Sequence, residues 1–211
     1  TYGCQDNVAD SDGFRGYLNM LGADLVETAE EADLILVNTC AVREKAEQKL
    51  YSYIGELLEF KQKKPYLKIG ILGCVASYRA KEMLVRFDHV SFSFGARKSP
   101  KILNEYFKII VPEIEKLKEQ YANGEKLHHP GRQDRDIEEF IEKHKNDNLA
   151  WKPATPIRSP KELLSSRNIS KEVLRSFVKI TSGCNNYCSY CIVPFTRGQE
   201  TSHPMTSIVK K

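Results

Sequence analysis

Three cysteines lie close together near the carboxyl end of the sequence. Cys184, Cys188 and Cys191 have the spacing C-x₃-C-x₂-C, so their sulfur atoms can converge on one inorganic group. Thiolate ligands select soft metals such as zinc, copper(I) or the iron of iron–sulfur clusters. Structural zinc takes four protein ligands, whereas a [4Fe–4S] cluster held by three cysteines leaves one iron open to a small molecule. The alternative is a zinc site completed by a distant residue such as His203, although the paired C-x₂-C halves of common zinc sites are missing.

The other three cysteines are far apart in the sequence but share one feature. Cys4, Cys40 and Cys74 each follow directly after a predicted strand. In open α/β sheets, ligand sites form outside the carboxyl ends of the strands. We therefore expect the three cysteines to meet at one edge of a sheet. The alternative is three unrelated small core residues, since free cysteine packs well in protein interiors, but the repeated placement argues against it.

The segments around these cysteines alternate between strand and helix patterns. Apolar runs predict strands at 34–37, 68–72 and 90–94, and helical periodicity predicts helices at about 14–21, 42–63, 76–86 and from 99 onward. This alternation predicts an α/β fold whose amino-terminal part is an open parallel sheet with helices on both faces.

Local signals add three expectations. The sequence Thr28-Ala29-Glu30-Glu31 has the pattern of a capping box and predicts a short turn of helix. The apolar stripe of the helix at 42–63 includes Val42 and Leu58. Pro112 is expected to kink or split the helix that opens at Ser99-Pro100, because proline removes an intrahelical hydrogen bond.

The composition restricts the class of protein. The chain has 211 residues and a net charge of +4, which is compatible with RNA binding but is not by itself a nucleic-acid signature. Six cysteines in a chain without a recognisable signal peptide argue for metal binding or catalysis rather than disulfides. No apolar run is long enough for a bilayer, so we expect no membrane insertion and a cytoplasmic location, or a mitochondrial one in a eukaryote.

The cysteine segments resemble a known enzyme family. The run GCNNYCSYCIVPFTRG, from Gly183 to Gly198, is similar to the methylthiotransferase branch of the radical S-adenosylmethionine (SAM) enzymes, and TYGCQ, NTCAVREKA and GCVA are similar to the amino-terminal domain of its MiaB type. The resemblance implies that Cys184, Cys188 and Cys191 hold a [4Fe–4S] cluster whose open iron binds SAM, with Tyr190 against the adenine. It also implies a second, auxiliary [4Fe–4S] cluster held by Cys4, Cys40 and Cys74.

The resemblance also implies a function. It predicts a transferase that adds a methylthio group to N6-isopentenyl adenosine next to the anticodon of tRNA, although close relatives act on other tRNA adenosines or on a ribosomal protein. An unactivated C–H has no acidic proton, so cofactors must supply the chemistry, and we assign no catalytic side chain. The expected partners are tRNA, SAM and a reducing electron donor such as flavodoxin, and we expect a monomer. The alternative from another class is a non-catalytic iron–sulfur or zinc module that binds RNA.

This resemblance covers most of residues 1–98 and 177–209. It divides the chain into a methylthiotransferase amino-terminal domain at 1–107, a polar, mostly helical or irregular insertion at 108–176, and the start of a radical SAM partial (β/α) barrel at 177–211, with its first strand at Phe177–Thr181. We expect residues 120–170 to be the least packed part. Both ends look cut, so we expect a fragment that is inactive alone.

Two residues depart from the family pattern, and a third has an open role. Asp6 stands where the family commonly has Met, and His203 stands where it commonly has Arg. Arg197 either contacts the cofactor or RNA, or forms a structural salt bridge.

Overall fold

The computed structural model describes residues 1–127, 135–144 and 177–209. In chain order, the described elements are α1 (Gln5–Met20), β1 (Leu34–Thr39), α2 (Glu44–Lys63), β2 (Lys68–Gly73), α3 (Cys74–Arg86), β3 (Phe92–Gly95), α4 (Pro100–Ala122), α5 (Ile137–His144), β4 (Thr181–Ser182), α6 (Val193–Arg197), β5 (Thr201–Ser202) and α7 (Met205–Val209). The predicted strand and helix order of the amino-terminal part is confirmed.

The amino-terminal sheet is parallel, as predicted. Its strand order is β1-β2-β3, and Thr39 and Gly73 are partners in register, as are Gly73 and Gly95. Tyr2 extends the sheet by a parallel bridge to Thr39. The carboxyl ends of these segments therefore lie side by side along one edge of the sheet.

Helices cover both faces of this sheet, and each face has its own apolar core. Because successive side chains of a strand point to opposite faces, β1 contributes Ile35 and Val37 to one core and Leu34 and Leu36 to the other. The first core is built with α2 and α3 and includes the buried residues Leu50, Ile54, Leu57, Ile69, Ile71, Val75 and Met83. The second is built with α1, α4 and α5 and includes Phe14, Phe92, Leu103, Tyr106, Phe107 and Phe140.

Two local predictions about the first half were wrong. Val42 and Leu58 are exposed, because α2 begins only at Glu44 and its buried stripe runs through Leu50, Ile54 and Leu57. Leu58 follows Leu57 directly and is therefore turned about 100° away from that stripe. The segment that begins at Thr28 forms a turn rather than a helix, although the Glu31 N–H donates to Thr28 Oγ1 over 3.4 Å as a cap would.

Pro112 does not split α4. The helix continues from Pro100 to Ala122, because Ile110 and Ile114 on either side of the proline are buried in the second core. Packing of this apolar face offsets the missing hydrogen bond. The domain boundary expected at residue 107 consequently falls inside α4.

Part of the expected insertion belongs to the amino-terminal domain. In α5, Ile137 and Phe140 are buried against α4 and β3 in the second core. The Arg135 side chain donates to the carbonyl oxygens of Leu84 and Asp88. Most of the segment expected to be poorly packed, residues 128–134 and 145–170, lies outside the described residues.

The strand predicted at Phe177–Thr181 is mostly absent. Residues 177–180 are not in a strand, and the two-residue β4 pairs antiparallel with β5. Within the described ranges, no parallel neighbour lies beside β4; its partner is the chain returning at Thr201. No helix among the described residues is both long and apolar enough to cross a membrane.

Candidate metal centres

The structure brings Cys4, Cys40 and Cys74 to the same edge of the sheet, as predicted. Cys40 and Cys74 directly follow the register partners Thr39 and Gly73. The Cys40 N–H donates to the carbonyl oxygen of Tyr2 over 3.1 Å, and Cys4 comes two residues after Tyr2. Three cysteines that are distant in sequence are thus positioned by the ends of β1 and β2 and by the bridge of Tyr2 to β1.

A buried pair of asparagines supports this edge, and sequence reasoning missed it. Asn7 and Asn38 are almost fully buried. Asn7 Nδ2 donates to Asn38 Oδ1 over 2.9 Å, and Asn38 Nδ2 donates to the Asn7 carbonyl oxygen over 2.9 Å and to Ser11 Oγ over 3.0 Å. The Cys4 thiol donates to Asn7 Oδ1 over 3.3 Å. The signal in the sequence was a polar Asn38 at the end of an otherwise apolar strand.

The residue before two of the cysteines must be glycine because these asparagines lie against it. A Cβ atom on Gly3 would come within 2.5 Å of Asn7 Oδ1, and one on Gly73 within 2.2 Å of Asn38 Oδ1. Gly73 also has φ +91°, a conformation that side-chain-bearing residues rarely adopt. The Gly-Cys pairs therefore reflect close packing between the amide frame and the sheet edge.

The thiols of Cys40 and Cys74 are buried and polarised by their neighbours. Burial raises the pKa of the Cys74 thiol, while the Arg197 guanidinium and the Thr196 hydroxyl act in the opposite direction. Cys40 Sγ accepts a hydrogen bond of 3.3 Å from the Val42 N–H. Metals bind the thiolate form, so Arg197 and Thr196 act on Cys74 in the direction that favours a metal ligand, against the larger effect of burial.

The second triad lies on an exposed loop between β4 and α6. The Cys184 N–H donates to the carbonyl oxygen of Gly198 over 3.1 Å, and the Cys191 N–H donates to that of Cys188 over 2.9 Å. Cys188 is exposed, and Tyr187 before it has φ +47°. A Cβ atom on Gly183 would come within 2.1 Å of the Gln199 carbonyl oxygen, so the loop requires glycine there. The three thiols are positioned by local turns.

Tyr190 projects into solvent, with 90% of its surface exposed. This placement leaves the ring free to lie against a ligand at the loop, and its contact with an adenine stays a prediction. The nearest ring pair in the loop is Tyr187 with Phe195, whose centroids are 6.5 Å apart.

Each donor set consists of three cysteine thiols, the ligand type that holds iron–sulfur clusters. In the part of the chain that the structure describes, no three His, Cys, Asp or Glu side chains lie close enough together to hold one ion, and this holds for both cysteine triads as well as for a site with His203. A cluster binds each cysteine at a separate iron atom, so its thiols do not have to converge on one point. Each triad offers three thiols, so a [4Fe–4S] cluster held there would have one iron without a cysteine ligand.

Arg197 is buried and forms salt bridges with α1. Its Nη1 lies 2.5 Å from Asp6 Oδ2 and 3.3 Å from Asp10 Oδ2. Burial lowers the pKa of Arg197, but Cys74, Asp10 and Asp6 together raise it above its ordinary value. Of the two roles expected for Arg197, the salt bridge is the one observed.

Comparison with known proteins identifies the family. Residues 1–95 match the profile of Uncharacterized protein family UPF0004. The chain is 36% identical over 214 residues to the tRNA-2-methylthio-N(6)-dimethylallyladenosine synthase of Dictyoglomus thermophilum, a match that covers 100% of this chain and 40% of that protein. The chain belongs to the methylthiotransferase family.

Other relatives of the same name agree with this assignment. The synthase of Carboxydothermus hydrogenoformans is 35% identical over 216 residues, covering 100% of this chain and 40% of the relative, and that of Burkholderia mallei is 37% identical over 210 residues, covering 99% and 38%. The chain therefore spans about two fifths of the length of these methylthiotransferase-family relatives.

The two matches cover different parts of the site. The UPF0004 match ends at Gly95, the last residue of β3, and so contains Cys4, Cys40 and Cys74. The loop with Cys184, Cys188 and Cys191 lies outside that match and is covered by the full-chain similarity to the synthases.

Proposed function

We propose that the protein carrying this chain is a radical SAM methylthiotransferase that adds a methylthio group to N6-isopentenyl adenosine next to the anticodon of tRNA. The observation that carries the proposal is the similarity of the whole chain to synthases of that name, in a fold that presents two separate cysteine triads. Because the chain spans about two fifths of those relatives, the activity belongs to the longer protein.

The two triads would hold different cofactors for one reaction. When bound, a [4Fe–4S] cluster at the second triad would supply the electron that cleaves SAM, and one at the first triad would supply or carry the sulfur that a further SAM methylates. Cys184, Cys188 and Cys191 would hold the cluster that cleaves SAM at an exposed loop, where SAM can reach it. Exposed Tyr190 would lie against the adenine of SAM.

The amino-terminal residues would have a holding role. Cys40 and Cys74 are buried, so the sheet edge would shield the auxiliary cluster from water on its protein side. Asn7 and Asn38 would keep Cys4 and the preceding glycines in place through their mutual hydrogen bonds. The further partners in this proposal are tRNA, as the substrate, and a reducing electron donor such as flavodoxin. The enzyme in this proposal is a monomer and is located in the cytoplasm.

Anaerobic reconstitution of the full-length protein tests this function. The protein, loaded with iron and sulfide, would be incubated with SAM, dithionite and tRNA that carries isopentenyl adenosine. We expect both 5′-deoxyadenosine and the methylthiolated nucleoside, measured by mass spectrometry, and no product from tRNA that lacks the isopentenyl group. Modification of unprenylated adenosine or of a ribosomal protein would refute the proposal that isopentenyl adenosine is the substrate. RNA binding without any SAM cleavage would refute the proposed enzyme activity and favour the alternative, a non-catalytic module that binds RNA.

A further inference from the structure

Four charged side chains join the two halves of the described chain. Asp6 and Asp10 lie one turn apart on α1, while Lys179 and Arg197 come from the carboxyl-terminal segment. Lys179 Nζ lies 3.1 Å from Asp6 Oδ1 and 2.6 Å from Asp10 Oδ1. Arg197 contacts both carboxylates as well, and its Nη2 also donates to Asp10 Oδ2 over 3.3 Å. Each carboxylate therefore contacts both cations.

The network is largely removed from water. The side chains of Arg197, Lys179 and Asp10 are 5%, 15% and 18% exposed, and that of Asp6 is 31% exposed. Charges removed from water must be paired, and loss of one partner leaves an uncompensated charge behind. Two carboxylates and two cations balance, so one arrangement of the two halves is favoured over others that separate the pairs.

The backbones of the two halves form no hydrogen bonds with each other within the described ranges. Between residues 1–127 and 177–209, no backbone–backbone hydrogen bond crosses. The loop of the second triad is bonded to itself, through Cys184 to Gly198 and Cys191 to Cys188. Within the described chain, the four charges therefore hold the two regions together with the packing of α6 against α3 and the hydrogen bonds of Cys74 with Thr196 and Arg197.

The network joins the segments that carry the two triads. Asp6 comes two residues after Cys4, and Lys179 comes five residues before Cys184. Arg197 comes six residues after Cys191 and is close enough to Cys74 to shift the pKa of its thiol. A displacement of any member of the network would move one triad relative to the other.

We propose that Asp6, Asp10, Lys179 and Arg197 form an ionic clamp that fixes the separation of the two cysteine triads, and that Lys179 and Arg197 are positioning residues for methylthio transfer. The second statement rests on the proposed function, and the first does not. The clamp matters to the reaction because sulfur held at one triad must reach a substrate carbon activated at the other. A misplacement of about 1 Å can reduce such a transfer by about 10²-fold.

Hydrogen exchange in the full-length protein tests the clamp without reference to activity. In Asp10→Asn, amide exchange over residues 181–202 should rise at least about tenfold, because an unpaired cation favours opening of the interface. Exchange in β1 and β2 should stay unchanged. The matched control is Lys98→Gln, which removes a 2.9 Å ion pair with Glu138 that is exposed on both sides. Unchanged exchange over 181–202 in Asp10→Asn would overturn the clamp.

A second variant separates local opening from misfolding. Lys179→Gln changes only the carboxyl-terminal segment, so it should raise exchange over 181–202 even if Asp10→Asn fails to fold. The double variant Asp10→Asn/Lys179→Gln restores neutrality and should exchange no faster than either single variant. Additive increases in the double variant would mean that the two residues act independently and would contradict the clamp.

The positioning role is tested by the coupling of two products. With iron content at the wild-type level, the ratio of methylthiolated nucleoside to 5′-deoxyadenosine should fall at least about tenfold in Arg197→Gln and recover in part in Arg197→Lys. An unchanged ratio together with raised exchange would keep the clamp and overturn the positioning role. If the wild-type protein forms no methylthiolated product, the proposed function fails, while the exchange result still decides the clamp.

Discussion

The two cysteine triads are held in opposite ways. Cys40 and Cys74 are buried at the ends of adjacent strands, with Asn7 and Asn38 packed behind that edge. Cys188 is exposed on a loop that is ordered by its own backbone bonds. The first triad is therefore a product of the tertiary fold, and the second is a product of local sequence.

This difference fits what each triad would do. A site that carries sulfur gains from burial, because its ligands stay in place and water is excluded. A site that binds SAM needs an open face, and the exposed Tyr190 and Cys188 provide one. A locally ordered loop must then be attached to the rigid domain by contacts outside the loop. The packing of α6 against α3 and the ion pairs of Asp10 with Lys179 and Arg197 supply that attachment.

Removal of thiols should give the largest difference between the triads. In the full-length protein, Cys188→Ala should abolish both 5′-deoxyadenosine and product, whereas Cys40→Ala should abolish product but keep SAM cleavage. Either change should lower the iron content from about eight to about four per chain if each triad holds one [4Fe–4S] cluster. Iron analysis and mass spectrometry of the products measure both effects.

The same pair of variants should differ in the stability of the apoprotein. Cys40→Ala removes a buried side chain and should lower the free energy of unfolding by about 1 kcal/mol, whereas exposed Cys188→Ala should change it by less than about 0.5 kcal/mol. Full methylthiolation by Cys40→Ala would end the auxiliary-cluster hypothesis.

The sequence predicted the first triad's position because the strand signal is local. Apolar runs ending at Thr39 and Gly73 locate two strand ends, and the rule for parallel sheets then brings their cysteines together. It predicted less well where packing decides the outcome. Pro112 is a helix-breaking signal that the buried neighbours of α4 override, and Val42 lies just before a helix whose start is not marked by a capping side chain.

The contacts that support the site could not be predicted from local patterns. The Asn7–Asn38 pair joins residues 31 positions apart, and the Arg197–Asp10 contact joins residues 187 positions apart. Each side chain taken alone has the character of an ordinary polar surface residue. Only the fold shows that the side chains of each pair meet, and it is the fold that pairs Asp6 with Arg197.

Alanine at Gly73 and at Gly183, two of the glycines with positive φ, should show which triad depends on the global fold. Gly73→Ala would force Cβ against Asn38 Oδ1 at 2.2 Å and the Thr39 carbonyl oxygen at 2.7 Å, in a backbone conformation at φ +91°. We expect a loss of about 3 kcal/mol in the free energy of unfolding, measured by denaturant titration. Gly183→Ala meets the backbone of Gln199 and should distort the loop while changing global stability by less than about 1 kcal/mol. Equal global losses would mean that the loop is part of the same cooperative unit.

The pH dependence of stability should also separate the regions. Lys61 is buried in the first core's rim, where its Nζ donates to the carbonyl oxygens of Pro65 and Leu67 over 2.7 and 2.6 Å. Burial, with a smaller effect of nearby Lys68, lowers the pKa of Lys61 to about 8 from 10.5. Between these values the unfolded chain binds more protons than the folded one, so the stability should rise with pH.

The size of this rise is at most about 3 kcal/mol between pH 8 and 10.5. Denaturant titrations of the wild type and of Lys61→Met at pH 8 and pH 10 measure it, because other groups cancel in the difference between the two proteins. Exchange over residues 181–202 should show no corresponding change after correction for its intrinsic pH dependence. A wild-type curve parallel to that of Lys61→Met would contradict the lowered pKa.

The smallest expected effect concerns α1, the helix of the amino-terminal domain that contacts both regions. It starts directly after Cys4 and carries the acidic half of the clamp, and Gly13 lies further along its exposed face, where a Cβ atom would meet nothing within 4 Å. Gly13→Ala should therefore raise the free energy of unfolding by roughly 0.5–1 kcal/mol. If the loop opens by releasing the clamp while α1 stays folded, exchange over 181–202 should not change. Exchange there that slows by the same factor as in β2 would mean that the loop opens only when the whole amino-terminal domain unfolds, and the distinction between the two triads would not hold.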